Sequence, residues 1–291
     1  MEHTSSIVGP MITSNHLANH PMHVIVVGAG GTGGRVIPPL MQMLRRGDTV
    51  SIVDGDHVED RNLARQNFRV RDIGENKADV MARRYRRDRI ETTAFAAFLN
   101  DATCPTITEG VLCPTIVFGC VDNPEARQVM QSMLNKSKNI IWIDGGNERR
   151  GGQVIMSASY WPFSVTAPPA SAHILQSARL NGMSAMPQLL QAKPWHCERC
   201  HVVNAAGTKL CQSCNRPEAS CRDRVDLQTV AVNHLSASCM LNILSNILYK
   251  IPMMTCGVFF STLNTMSPIM LKSINWDNNT IIPETTYAAS I

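Results

Sequence analysis

The sequence predicts an α/β protein with a mostly parallel sheet and a nucleotide site at the carboxyl edge of its strands. Three observations carry that prediction. Val24, Ile25, Val26 and Val27 form an unbroken β-branched run, the pattern of a strand buried on both faces. Gly28, Gly30 and Gly33 follow at once, with Gly31 and Gly34 beside them. This G-x-G-x-x-G lets backbone N–H groups approach a phosphate at the start of the next helix. A second apolar run, Val50 to Val53, then ends in Asp54, about 20 residues on, where an acid can hydrogen-bond a ribose hydroxyl.

The remaining elements follow in order. Residues 1–22 are polar and read as an arm. The helix after the glycines contains Pro38 and Pro39, and an interior proline costs about 3 kcal/mol, so a kink or a late helix start is expected. Residues 75–90 read as a helix whose basic end, Arg83–Arg89, is a solvated face. The apolar runs 116–121 and 140–143 are the next strands, delivering Asp122 and Asp144 to the ligand-binding edge, with Cys120 as a small core residue. Glycines at 145–146 and 151–152 bracket a turn into a strand over 153–157. Residues 160–194 are broken by prolines, with one helical candidate at Ser171–Leu180. A long apolar helix then runs to about Tyr249, holding Cys239 in the core. Thr255–Leu263 and Ile269–Asn275 read as a hairpin on the sheet edge, before a polar tail from Trp276.

Composition narrows the class. A hydrophobic fraction of 44% in 291 residues is enough for a large core. A formal charge of +4 is too mild for a dedicated nucleic-acid binder. The first ten residues lack the basic and apolar regions of a signal peptide. The apolar stretch Leu235–Phe260 is interrupted by Asn242, Asn246, Lys250 and Pro252, against a membrane span. Four of the ten cysteines fall in two C-x-x-C pairs, which together with a nucleotide fold points to a reducing cytoplasm.

The residues after Asp54 read Asp54-x-Asp56-x-Val58, then Asn62-Leu-x-Arg65-Gln66, then Gly74-x-x-Lys77. Together with Asp122-Asn123-x-x-Ala126-Arg127, they resemble the ThiF/MoeB and ubiquitin-activating-enzyme superfamily. The resemblance implies a Rossmann-like ThiF-type fold spanning 23–194 and 218–275. It implies an ATP site in which Asp54 binds ribose, Asn62, Arg65 and Lys77 contact phosphates, and Asp122 holds Mg²⁺. Gly28, Gly30, Gly31, Gly33, Asp56, Gln66 and Asn123 complete that set. It also implies adenylation of the C-terminal carboxylate of a small ubiquitin-like or sulfur-carrier protein, with a homodimer left open. The physics agrees: bringing a carboxylate up to a triphosphate needs clustered cations and a metal to offset the repulsion. The family's N-terminal R-Y-x-R-Q element has no counterpart here.

Cys197, Cys200, Cys211 and Cys214 form two C-x-x-C pairs ten residues apart. With Trp195 and Asn204 they resemble a Ran-binding-protein type zinc ribbon over 195–217. Zinc ligation can replace the core that so polar a stretch lacks. The Thr-Phe pair that binds ubiquitin in such ribbons is replaced by His201-Val202.

Cys221 precedes the long helix, between Ser220 and Arg222 with Arg224 nearby, a setting that lowers a thiol pKa. This part of the chain resembles ThiF-family proteins of PRTRC plasmid systems, and the resemblance to ubiquitin-activating enzymes, where a cysteine before the corresponding helix is the thioester nucleophile, implies that role for Cys221. Two other functions compete: an NAD-dependent oxidoreductase, if the matches after Asp54 are accidental, and a non-catalytic adaptor binding RNA or protein through the ribbon.

Overall fold

The computed structural model describes residues 20–108, 113–137, 140–147, 151–159, 180–181, 183, 187–191, 194–197, 199–216, 230–249, 255–261, 270–275 and 281–282. Five strands form a parallel half-sheet: β1 His23–Val27, β2 Thr49–Val53, β3 Glu91–Phe95, β4 Thr115–Gly119 and β5 Ile140–Asn147. Antiparallel strands extend it through β6 Gly151–Ala158, β10 Thr255–Ser261, β11 Met270–Asn275 and β12 Ile281–Ile282, with β7 Leu180–Asn181 also on β6. The spatial order is β12-β11-β10-β6-β5-β4-β1-β2-β3. The chain leaves β1 toward β2 and returns to its other side at β4. The strand order therefore reverses between β1 and β4, and a crevice opens at their carboxyl ends.

Strand alternation divides the core between two faces. Val24 and Val26 join Ile116, Phe118, Ile141 and Ile143 on one side. There they meet helices α1 (Gly33–Met43), α2 (Lys77–Tyr85) and α5 (Val230–Leu248). Ile25 and Val27 join Val117 and Trp142 on the other side, against Val129, Met130 and Met133 of α4, Pro124–Lys136. A short helix α3, Cys104–Thr108, completes that layer through Ile107. No helix among the described residues is long and apolar enough to cross a membrane.

The prolines of α1 do not delay it: the helix starts at Gly33 and runs through Pro38 and Pro39 to Met43. Pro38 has no N–H for the Gly34 carbonyl four residues back. The Asn67 side-chain amide donates to that oxygen instead, at 3.3 Å.

Two further expectations change. The helical candidate Ser171–Leu180 lies outside the described residues except for Leu180, which pairs with Ala158 as a strand. The tail past Trp276 contributes β12, which adds to the hairpin edge through Ile281 and Ile282. Asp144 does reach the carboxyl edge, in register with Gly119 at the end of β4, but at 1% exposure it is turned away from the cleft. Its Oδ2 accepts the Arg127 Nε at 2.9 Å, while Arg127 Nη2 donates to the Val121 carbonyl at 2.8 Å. Burial pushes the Asp144 carboxyl up, and the Arg127 guanidinium opposes that shift. The pair anchors the turn carrying Asp122 from beneath. Removing one partner of such a pair strands a buried charge. Arg127→Ala should therefore lower stability by about 3–5 kcal/mol, read from urea unfolding, whereas Gln128→Ala on the exposed face of α4 should change it little.

Candidate active site

The cleft begins where β1 ends. Gly28 has a φ of 92°, and a Cβ there would lie 2.6 Å from the Cys120 carbonyl oxygen. Only glycine lets the chain turn this tightly against β4. Gly33 serves packing, since its Cβ would fall 1.8 Å from the Gly28 carbonyl oxygen. Gly28, Gly30, Gly31 and Thr32 face a cleft of about 500 Å³ at the switch point, a volume suited to a small ligand.

Asp54 ties this loop to the end of β2. Its Oδ2 accepts the Ala29 N–H at 2.7 Å and its Oδ1 accepts the Asp56 N–H at 2.8 Å. Burial pushes the Asp54 carboxyl up, opposed by those two donors and by Lys77. Asn76 extends the tie. Its amide donates to the Asp54 and Asp56 carbonyls at 2.9 and 3.0 Å, and its Oδ1 accepts the Ala78 and Asp79 N–H groups as the cap of α2. The capped first residue is Lys77, 4% exposed, with Nζ 3.3 Å from Asp56 Oδ2. Arg65 and Gln66 reach the cleft from the preceding turn. From the far side Asp122, Asn123 and Glu125 face it, and the Asn123 side chain accepts the Ala126 N–H at 2.7 Å to cap α4.

The four cysteines also come together. Every ligand sulfur lies within 4.8 Å of the others, with Cys197–Cys214 at 3.5 Å and Cys200–Cys211 at 3.4 Å. Tetrahedral zinc–thiolate bonds of ~2.3 Å require sulfurs roughly 3.8 Å apart, so the cluster could hold such an ion. The two knuckles share one backbone form: His201 N–H donates to the Cys197 carbonyl and Asn215 N–H to the Cys211 carbonyl, with φ of 58° and 54°. A two-stranded ribbon, β8 Trp195–His196 with β9 Val203–Asn204, supports them. Burial alone would push the Cys211 thiol up. Backbone donors at Ser213 and Cys214 and the neighbouring thiols outweigh it and draw Cys211 down to about 6, while hydrogen bonds to the other thiols push Cys214 up to about 11, so the support for a metal rests on the sulfur geometry.

Residues 13–271 match the ThiF family. The chain belongs to the ThiF family. Among solved structures, PaaA superposes with a TM-score of 0.54 at 16% identity, covering 90% of this chain and 66% of that one. MccB of E. coli with ATP gives 0.54 at 18% identity, covering 92% and 68%. The Microcin C7 biosynthetic enzyme MccB with N-formylated MccA gives 0.52 at 19%, covering 90% and 66%. At these identities the likeness establishes the fold, and this chain spans about two thirds of those chains. No curated protein matches significantly.

In this ThiF-family cleft the structure gathers Gly28, Gly30, Gly31, Asp54, Asp56, Arg65, Gln66, Lys77, Asp122 and Asn123. It does not bring Asn62 there. That side chain is 3% exposed and its Oδ1 accepts the Glu59 N–H at 2.9 Å, closing the turn that carries Arg65 and Gln66. Cys221 lies outside the described residues. Sequence reasoning missed Phe98 and Asn100 after β3, Asn147 at the end of β5, and Lys209 of the ribbon, all lining the cleft. None carries a motif, and each arrives by tertiary placement. Asn147 bridges α1 and α5, donating to Thr32 Oγ1 at 2.6 Å and Asn233 Oδ1 at 3.0 Å.

The raised Asp54 carboxyl has a pH consequence. The folded state holds that proton more tightly than the unfolded chain, so stability falls as pH rises from about 3.9 through the raised folded value. An amide does not titrate. The stability of wild type relative to Asp54→Asn should therefore shrink across that window, measured by urea unfolding at a series of pH values; a constant difference would contradict the burial assigned to Asp54.

Proposed function

We propose that this chain is an ATP-dependent activating enzyme that adenylates the C-terminal carboxylate of a small ubiquitin-like or sulfur-carrier protein. The observation that carries this reading is the convergence of a glycine loop, two cations and an exposed carboxylate on one cleft: Arg65, Lys77 and Asp122. A dinucleotide dehydrogenase needs the loop and Asp54 but not that cationic pair with its facing acid. MccB, which shares the fold, has been solved with ATP.

The chemistry follows from the placement. Backbone N–H groups of the glycine loop receive the phosphates, and Asp54 stands where a ribose would sit. Arg65 and Lys77 offset the charge that builds as a carrier carboxylate oxygen attacks the α-phosphorus. The new P–O bond forms as the bond to the bridging oxygen breaks, and pyrophosphate leaves with the electron pair. Mg²⁺, when bound, supplies further positive charge to the phosphates. Asp122, with Glu125 on the same wall, fits it, because Mg²⁺ takes one or two carboxylates and otherwise phosphate oxygens and water.

In a second step the Cys221 thiolate attacks the acyl carbon, AMP departs, and the carrier is held as a thioester. Arg222 and Arg224 favour the thiolate. The core would comprise 23–194 and 218–275, with the metal ribbon of 195–217 inserted, four thiolates holding zinc. The 1–22 arm and the 276–291 tail flank it. A homodimer, the partnership the resemblance leaves open, and a cytoplasmic setting that keeps thiols reduced belong to the same reading.

With a carrier protein present, the wild type should exchange pyrophosphate into ATP. Asp122→Ala should keep its unfolding midpoint, since the residue is exposed, and lose exchange by about 100-fold or more. Exchange at the wild-type rate would remove Asp122 from the metal role. Cys221→Ala should still exchange pyrophosphate yet form no thiol-sensitive adduct with the carrier, seen on non-reducing gels. An adduct that persists would place the nucleophile elsewhere.

A further inference from the structure

Among the described residues, the ThiF core lines the cleft with two cations, Arg65 and Lys77, against four carboxylates, Asp54, Asp56, Asp122 and Glu125. Lys77 is already paired with Asp56. That balance is poor for a polyphosphate, which brings several negative charges of its own. One further cation among the described residues faces the cleft, and it comes from the metal ribbon: Lys209. It is exposed and has no ion-pair partner among the described residues.

We propose that Lys209 is a phosphate-neutralising residue of the nucleotide site, and that metal binding in the ribbon sets its position. This rests on the nucleotide reading above and adds to it a role for the inserted ribbon. The connection from metal to lysine is continuous. Trp195 is 5% exposed and packs with Cys197 and Cys211 in a small cluster that Cys200 and Cys214 border. Its indole Nε1 donates to the Thr208 carbonyl at 2.7 Å. Thr208 is held a second time, through its hydroxyl on the Ala205 carbonyl at 2.7 Å. Lys209 is the next residue, and Cys211 lies two further on. The turn is thus fixed on one side by the indole and on the other by a ligand sulfur.

The ribbon has almost no core without its metal, since its buried apolar cluster is Trp195 and the cysteines themselves. Ligation supplies folding free energy to such a unit. Loss of metal would release Trp195, then the Thr208 carbonyl, then the lysine. Nucleotide affinity and metal occupancy are therefore linked, and each should strengthen the other.

The test is calorimetric titration of the full chain with Mg·ATP and with adenosine, which has no phosphate. Purified wild type should carry one zinc per chain by metal analysis, and Cys211→Ser none. Lys209→Ala should bind Mg·ATP about five- to tenfold more weakly than wild type, bind adenosine equally well, and be restored by Lys209→Arg. Cys211→Ser should show the same selective loss, with no further loss when Lys209→Ala is added to it. Lys209→Ala binding Mg·ATP as tightly as wild type would overturn the proposal while leaving the ATP site standing. A wild type that binds no Mg·ATP would overturn the proposed function, and this inference with it.

Discussion

The buried carboxylate of Asp54 accepts the Ala29 N–H with one oxygen and the Asp56 N–H with the other, and the cleft takes its form from that double acceptance. One contact fixes the glycine loop between β1 and α1. The other fixes the first turn after β2. Asn76 then reads the position of that turn through the Asp54 and Asp56 carbonyls and passes it on to α2 by capping it. Each buried N–H left without its acceptor would cost about 1–3 kcal/mol. The glycine loop, the acid turn and Lys77 are consequently positioned as one unit before any ligand arrives. Such preorganisation is what electrostatic catalysis requires, because groups already aimed at developing charge need not reorganise.

Two acids at adjacent strand ends illustrate how burial divides roles. Asp122, just past β4, is exposed and faces the cleft. Asp144, on β5, is buried and committed to Arg127. Arg127 belongs to the motif that begins at Asp122, and its work is to hold Val121 by the carbonyl and Asp144 by the carboxylate. The motif thus contains both a candidate metal ligand and the brace that presents it. Asn123, between them, caps α4 and favours helix initiation at that point.

The sequence made the parallel half of the sheet legible because β-branched runs and glycines act locally. The strands at 23–27, 49–53 and 115–119 lie where periodicity puts them, within a residue or two. The spacing of Arg65, Gln66 and Lys77 likewise reads out as one wall of a cleft. What stayed hidden depends on contacts distant in sequence. Nothing local marks Asn67 as the replacement donor that lets α1 pass Pro38. Asn62 keeps its motif position but spends its side chain on the turn. An Asp at the end of a strand run looks the same whether it faces ligand or an arginine 17 residues away, so the sequence places Asp144 at the carboxyl edge without showing that it is buried against Arg127. Lys209 sits in a polar ribbon that no periodicity connects to the glycine loop.

A four-cysteine cluster that stabilised only itself could project anywhere from the surface, yet this one, which could hold a metal, brings a lysine to the cleft. The proposed function requires the cleft to take a triphosphate rather than a dinucleotide. Its most direct test is competitive calorimetry of the wild-type chain with Mg·ATP and with NAD. Saturable Mg·ATP binding that is lost in Lys77→Ala and is not displaced by NAD is the result predicted here; saturable NAD binding with no response to Mg·ATP would contradict it.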